Sequence, residues 1–261
     1  MVVKPANFLF RLVVATLMFS GSWSSSSATT SQQSLYLQGL DAVRSGQRAQ
    51  AQQIRRQLGD YPLALYVDYY DLYLQPDLSR LPEVKRFIAQ DAQGLLAGRL
   101  TGRYMRLLAS QGQWDALLRF AEKEPKALSL RCSYYYAKWA TGDQVSAYRF
   151  ADDLWMHAES RPGECDALFE QWKLAGLMTP EKIWQRMLLV YPASSSVNLL
   201  THLNSQLEGS SLQIKGQRLE RLFMKPGDLL SILPAARDAD SQQMAALALQ
   251  RLAAQDPALS R

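Results

Sequence analysis

The sequence predicts an all-α protein, a solenoid or superhelical array of antiparallel helix hairpins. Apolar residues recur at three- and four-residue spacing through segments of roughly 10 to 15 residues, the period of an amphipathic helix. Short Gly, Pro or Asp signals break these segments, and no strand-like run competes with them. Gly and Pro number 14 and 11 in 261 residues, too few for a collagen-like, low-complexity or all-β chain.

In chain order, the spacing places helices at Ser34 to Ser45, Arg48 to Leu58, Pro62 to Leu74, Leu81 to Gln90, Gly94 to Ser110, Trp114 to Glu122 and Ala127 to Ala140. It continues with Gln144 to Ala158, Glu164 to Leu174, Pro180 to Val190, Ser195 to Leu207, Leu212 to Phe223, Pro226 to Leu233 and Ser241 to Ala254. The connections Ser45-Gly46-Gln47, Gln111-Gly112-Gln113 and Thr141-Gly142-Asp143 are short, which makes each helix antiparallel to the last. The stretches Ala42 to Gln53, Leu107 to Leu118 and Ala137 to Phe150 each join a small or apolar residue, a Gly turn and a second apolar helix. They resemble tetratricopeptide-type repeats without the full signature. Repeats of this kind favour a stack of helix pairs over a compact bundle.

Before the first helix, Lys4 and Arg11 precede the apolar run Leu12 to Phe19, and the small residues Ser20 to Thr30 follow it. This is the three-part layout of a secretory signal. The apolar run is well short of the ~18 residues of a membrane span, so an uncleaved anchor is the lesser alternative. Ser26 and Ala28 suit positions minus three and minus one, placing cleavage after Ala28 and making residues 1–28 the leader. Residues 29–33 read as a flexible Ser/Thr/Gln segment, and the mature fold as 34–261. The formal charge of +5 becomes +3 once Lys4 and Arg11 are removed. No cysteine near the end of the run offers a thiol to a lipid, so the product is expected to be exported and soluble, without membrane contact after cleavage.

Export governs how Cys132 and Cys165 are read, since paired thiols in an oxidising compartment tend to close. A Cys132–Cys165 disulfide is expected, two buried thiols being the alternative. Its loop of 34 residues corresponds to roughly 3 to 4 kcal/mol in the chain-entropy picture. Two His and two Cys are too few for a structural zinc site, and no metal or cofactor is expected. The 29 basic and 24 acidic residues are spread along the chain; nucleic-acid binders concentrate basic residues on one face, so none is expected as a partner. The nearest basic patch, Arg44, Arg48, Arg55 and Arg56, reads as a solvated face.

Tyr66, Tyr69, Tyr70 and Tyr73 follow i, i+3, i+4, i+7 and read as a buried stripe, with Asp68 and Asp71 on the other side. Cys132, Tyr136 and Trp139 share a face at i, i+4, i+7, with Tyr135 beside them. Such rings can stack on sugars, but they also serve a helix-pair core, and core is the expected role. Cys165 begins the helix bearing Leu168, Phe169 and Trp172, so the disulfide would pin that helix to the one at Ala127 to Ala140. Glycan cleavage needs a carboxylic acid in a cleft that raises its pKa. Asp68, Asp71, Glu83, Glu122, Glu124, Glu181 and Glu220 instead fall on polar faces or helix ends, and the adjacent Asp152 and Asp153 point apart. His157 and His202 have no nucleophile at a telling spacing, and no Gly-rich phosphate loop is present. No catalytic residue is expected.

Asp60-Tyr61-Pro62-Leu63, Cys132-Ser133-Tyr134-Tyr135-Tyr136-Ala137-Lys138-Trp139 with Thr141-Gly142, Glu164-Cys165-Asp166-Ala167-Leu168-Phe169, and Gln243-Met244-Ala245-Ala246 together resemble the amino-terminal domain of soluble lytic murein transglycosylases. The resemblance runs in order from about Ser34 to Arg261. It implies a U-shaped superhelix of hairpins that a linker domain closes into a ring, with the single catalytic glutamate on a lysozyme-like carboxy-terminal domain. It also implies periplasmic cleavage of peptidoglycan between N-acetylmuramic acid and N-acetylglucosamine, leaving a 1,6-anhydromuramic end. The intact enzyme's glutamic acid would protonate the glycosidic oxygen, then act as base for attack of the muramic 6-hydroxyl on C1. Two partial echoes of the catalytic domain, Glu159-Ser160 and Gly176-Leu177-Met178, lack its surroundings and read as coincidence.

The resemblance implies a scaffold that holds glycan strands for linker and catalytic domains absent from this chain. On this reading the U domain is incomplete, and Leu247, Leu249, Leu252 and Leu259 leave an apolar face open after the last helix. The rival is a non-catalytic periplasmic scaffold of tetratricopeptide type with a protein partner in its concave face. A small self-sufficient glycosidase is the third reading.

Overall fold

The structure, a computed structural model, describes residues 25–91, 94–233 and 238–255. The expected leader, apart from its last four residues, lies outside them, as does Leu259. Every regular element among the described residues is a helix, and the contacts divide the chain into two units at Gln75.

The first unit contains α1 (Ser25–Arg44), α2 (Arg48–Leu58) and α3 (Ala64–Leu74). Leu40, Val43, Ala51, Ile54, Leu58 and Val67 are buried together between them. Helix α1 begins earlier than expected, so the Thr29–Gln33 segment is helical and not an irregular lead-in. Adding residues to an existing helix is far cheaper than nucleating one, so Ser, Thr and Gln can extend it.

Helix α3 corrects the tyrosine-stripe reading. Tyr69 is buried, but Tyr70 and Tyr73 are half-buried and Tyr66 is exposed, whereas Asp71 is buried with Val67 and Leu72. The helix packs on both α1 and α2, so burial extends beyond a single stripe. Asp71 is tolerated inside because Arg48 Nε lies 3.7 Å from its carboxylate, which offsets the cost of a buried charge.

The second unit runs through α4 (Leu81–Gln90), α5 (Leu95–Ser110), α6 (Trp114–Ala121), α7 (Leu128–Ala140), α8 (Gln144–Trp155) and α9 (Asp166–Leu174). It continues through α10 (Pro180–Ala193), α11 (Asn198–Ser205), α12 (Gln213–Met224), α13 (Leu229–Ile232) and α14 (Ala239–Gln255). Short 3-10 turns at Leu78–Arg80, Gly163–Cys165 and Pro226–Asp228 precede α4, α9 and α13. Most of the substantial contacts join consecutive helices and alternate ones, α5 on α7, α7 on α9, α10 on α12 and α12 on α14, while α14 also returns onto α10. Such serial packing marks a repeat array, whereas a bundle gathers its helices round one common core.

The boundaries follow local chemistry. Pro180 opens α10 behind Thr179, whose hydroxyl accepts from Lys182 N at 3.4 Å. That helix runs past Pro192 to Ala193, beyond the expected end at Val190, with Ser194 N still donating to Val190 O at 3.0 Å. Its buried Val190 and Tyr191 hold the last turn against the core. In α14, Met244 and Ala248 point inward, Leu247 and Leu252 are half-buried, and Leu249 is exposed. The expected open apolar face is therefore partly covered.

The turns that follow α1, α5 and α7 share one form, and the closure at Gly176 after α9 has the same hydrogen bonds. Gln47 N donates to Ala42 O at 2.8 Å, Gln113 N to Leu108 O at 3.0 Å and Asp143 N to Lys138 O at 2.8 Å. Each of these bonds encloses a glycine at positive φ, Gly46, Gly112 or Gly142, which donates three residues back. This is the Schellman closure, in which two otherwise unsatisfied helix-end carbonyls find donors. Residues five and eight beyond each glycine are then buried: Ala51 and Ile54, Leu117 and Phe120, Ala147 and Phe150. At the third turn Asp143 also caps α8, accepting from Ser146 N at 3.2 Å and from Lys138 Nζ at 2.8 Å.

Gly142 has φ +106 and nothing within 4 Å of where a Cβ would stand, so Gly142→Ala should lower unfolding free energy by about 1–2 kcal/mol through backbone strain alone. Gly98, inside α5 with equally open space, should gain up to about 1 kcal/mol on replacement by Ala. Urea titrations of the two variants would read both signs. The bonds from Lys138 and Ser146 lower the Asp143 carboxyl from its ordinary 3.8 to about 2. In that interval the unfolded chain binds more protons, so this contribution is complete above about pH 4 and is lost as pH falls towards 2. Asp143→Ala should flatten that part of a stability-against-pH curve.

Candidate functional site

Helix α7 turns Leu130, Cys132, Ser133 and Ala137 inward. Cys132 is joined to Cys165 with Cα atoms 4.8 Å apart, both fully buried. The bond fastens α7 to the 3-10 turn that enters α9, linking alternate helices of the stack as expected.

Next to the disulfide the aromatic residues form a row. Trp114, first residue of α6, meets Tyr136 edge-on at 4.8 Å between ring centroids, and Tyr136 meets Trp139 at 5.3 Å. Trp139 Nε1 donates to the Tyr148 hydroxyl of α8 at 3.0 Å. Tyr136, Trp139 and Tyr148 pack on the core yet remain half-exposed, so the expectation of a purely internal role holds only in part. Tyr135 turns elsewhere. It stacks on Phe150 at 4.0 Å, and its hydroxyl donates to Glu124 at 2.9 Å. Burial and the Glu124 charge hold that hydroxyl above its ordinary pKa.

A cavity of about 260 Å³ opens beside the row, lined by Trp114, Tyr136, Ser133 and Glu164 among others. Aromatic walls with a hydroxyl and a carboxylate suit a hydroxyl-rich ring: apolar faces lie on the aromatics while polar edges find hydrogen-bond partners.

The acids noted in the sequence are mostly engaged. Asp68 accepts from Arg55 at 2.7 Å, Glu83 from Arg80 at 2.9 Å, and Glu220 from Thr201 at 2.6 Å and Asn204 at 2.8 Å. Glu122 lies 3.7 Å from Lys85, and Glu124 and Asp152 pair with Arg131 and Lys182. Desolvation raises the Asp68 carboxyl above its usual value against the opposing pull of Arg55. Burial of Asp71 is the exception to the polar-face reading. The basic patch is likewise half neutralised, Arg55 and Arg48 facing Asp68 and Asp71, while Arg44 and Arg56 are exposed.

Both echoes of a catalytic motif have local roles. Gly176 ends α9 at φ +73, with Leu177 N donating to Trp172 O at 3.2 Å. Glu159 is exposed in the α8–α9 connection, where its backbone N donates to His157 Nδ1 at 3.1 Å. That connection borders a second cavity, of about 330 Å³, which sequence reading missed. Its distinctive member is Arg186, 4% exposed. A sequence signal exists: Arg186 lies three residues after Ile183 and four before Val190, on the helix's apolar side. Among the described residues no group of three or more His, Cys, Asp or Glu could hold a metal ion.

No family model matches the chain. It is 30% identical over 260 residues to the soluble lytic murein transglycosylases of Salmonella typhimurium and Escherichia coli K12, an alignment that takes in 97% of this chain and 39% of each relative. The crystal structure of the 70 kDa soluble lytic transglycosylase from Escherichia coli matches with a TM-score of 0.74 at 31% identity, over 87% of this chain and 37% of that one. An inactive mutant of the lytic transglycosylase Slt from Pseudomonas aeruginosa matches at 0.72 and 30%, over 85% and 36%. The chain is thus homologous to the amino-terminal part of soluble lytic murein transglycosylases and shares its helical array, and it spans about two fifths of these relatives' length.

Replacing both cysteines by alanine should cost about 3–4 kcal/mol, a large share of a net stability of roughly 5–15 kcal/mol. Denaturant unfolding with and without a reductant reads the loss. Equal midpoints would mean the bond contributes nothing.

Proposed function

We propose that this chain is the strand-holding helical part of a periplasmic lytic transglycosylase. The homology to the amino-terminal part of murein transglycosylases carries this reading. It assigns cleavage between N-acetylmuramic acid and N-acetylglucosamine, with its 1,6-anhydro product, to a lysozyme-like domain, and gives this chain the task of positioning glycan. The half-exposed row Trp114, Tyr136, Trp139 and Tyr148 beside the α6–α7 cavity supplies stacking surfaces for sugar rings.

The export reading rests on the leader layout of residues 1–28, and cleavage after Ala28 would trim the first turn of α1. The buried disulfide supports an oxidising compartment. Among the described residues no helix is long and apolar enough to cross a membrane.

Purified sacculi should pellet the wild-type chain, and soluble glycan strands should compete it off. Trp139→Ala should weaken retention about tenfold, the scale of about 1–1.5 kcal/mol for an aromatic contact, with the helical circular dichroism unchanged. The chain alone should release no muropeptides. Failure to pellet, with capture of a defined periplasmic protein instead, would replace this reading with the tetratricopeptide-type scaffold.

A further inference from the structure

The cavity bordered by α9, α10, α11 and the α8–α9 connection holds a buried arginine, Arg186, that forms no ion pair among the described residues. Arg186 donates from Nε to His157 O at 3.2 Å and from Nη2 to Glu159 O at 3.2 Å. Its guanidinium lies over the Trp155 ring, 4.2 Å from the centroid. Among the described residues no carboxylate forms an ion pair with it and Nη1 makes no hydrogen bond. Arg161 shares the cavity with its side chain 9% exposed. It bonds Glu159 O at 3.3 Å and His157, and its nearest carboxylate is the largely exposed Glu159 at 4.0 Å. Burial, reinforced by the charge of Arg161, pulls Arg186 down to about 10.

Carbonyl oxygens satisfy guanidinium N–H groups but carry only partial charge, so the buried Arg186 has no directly paired carboxylate and Arg161 only the distant, exposed Glu159. An entering carboxylate gains a charge-assisted hydrogen bond and relieves their repulsion. The rest of the lining selects among anions. Asp166 and Glu170 of α9 face the same cavity without an ion pair to Arg161, Lys173 or Arg186; they disfavour a bare anion such as phosphate and suit a ligand that also carries N–H donors. Gln206 completes the set: its Oε1 is buried without a partner and lacks a donor.

We propose that this cavity binds the carboxylate end of a short peptide, with the carboxylate on Arg186 and Arg161 and peptide N–H groups towards Gln206, Asp166 and Glu170. The assignment rests on the murein reading for its source: the peptide is the stem carried by the glycan strand, and the cavity holds that stem while the aromatic row holds sugar. A volume of about 330 Å³ admits a residue or two of peptide and lies at the small end of ligand sites.

Calorimetric titration of the wild-type chain tests this with three probes: a disaccharide–peptide released from murein by a muramidase, the same compound with its carboxylates converted to amides, and the peptide-free disaccharide, whose lactyl carboxylate is free. The first should bind, and the other two at least about tenfold more weakly. Equal binding of the amide, or no binding of any probe, overturns the proposal, and equal binding of the peptide-free disaccharide overturns the stem as the source of the carboxylate. Arg186→Gln should abolish the difference between acid and amide, but this residue also holds the connection together. Gln206→Glu leaves Arg186 in place, adds a competing carboxylate to the cavity, and should cause the same loss. Sacculus pelleting separates the two readings: intact pelleting without peptide discrimination sinks this inference alone, whereas peptide discrimination without pelleting upholds the cavity and removes the glycan reading.

Discussion

An antiparallel stack of short helices depends on reversing the chain tightly enough that each helix lands on the one before. At Gly46, Gly112 and Gly142 this is done by one hydrogen-bonded closure, and its geometry fixes more than the turn. Because the residue after the glycine always takes up the same backbone angles, the next helix starts at the same rotation, and the same two positions point into the core. Register is therefore transmitted locally, hairpin by hairpin, and no distant contact is needed to set it. Helix α3 touches its sequence neighbour α2 on one side and the alternate helix α1 on the other. That two-sided packing is why α3 buries an aspartate together with Val67 and Leu72.

This locality explains what could be read from the residues. Helices α2 and α4 begin and end where spacing and turn signals place them, because their limits are set by neighbours a few residues away. Errors arise where a tertiary partner decides. Asp71 sits opposite the tyrosines on a helical wheel, and Arg48 of the preceding helix offsets the cost of burying it. The α10 end runs past Pro192 because buried neighbours hold it. Cys132 and Cys165 were legible as a pair through the compartment implied by the leader. Arg186 could be placed on the apolar side of α10 by its spacing from Ile183 and Val190, but nothing in the sequence shows what it meets there. Its position between Ile183 and Val190 gains meaning only once the α8–α9 connection is seen to fold over it.

The α8–α9 connection, like α6–α7 and α10–α11, is made without the glycine closure. Its residues 156–162 run irregularly before the 3-10 turn. Two other devices replace it. Arg186 gathers the carbonyls of His157 and Glu159 from beneath, and the disulfide fixes the far end of the connection to α7. This connection borders both candidate sites. The segment entering α9 gives Glu164 and Ala167 to the cavity beside the aromatic row, while Asp166, Phe169, Glu170 and Lys173 line the basic cavity on its other side. Asp166, Glu170 and Lys173 are spaced i, i+4, i+7 and so share one helix face, with Ala167 turned about a quarter-circle away. One short helix, positioned by one covalent bond, is thus the wall between an aromatic site suited to sugar and a charged site suited to peptide. On the proposed reading a murein strand presents those two chemistries side by side, and the irregular connection sets both cavities against one short helix.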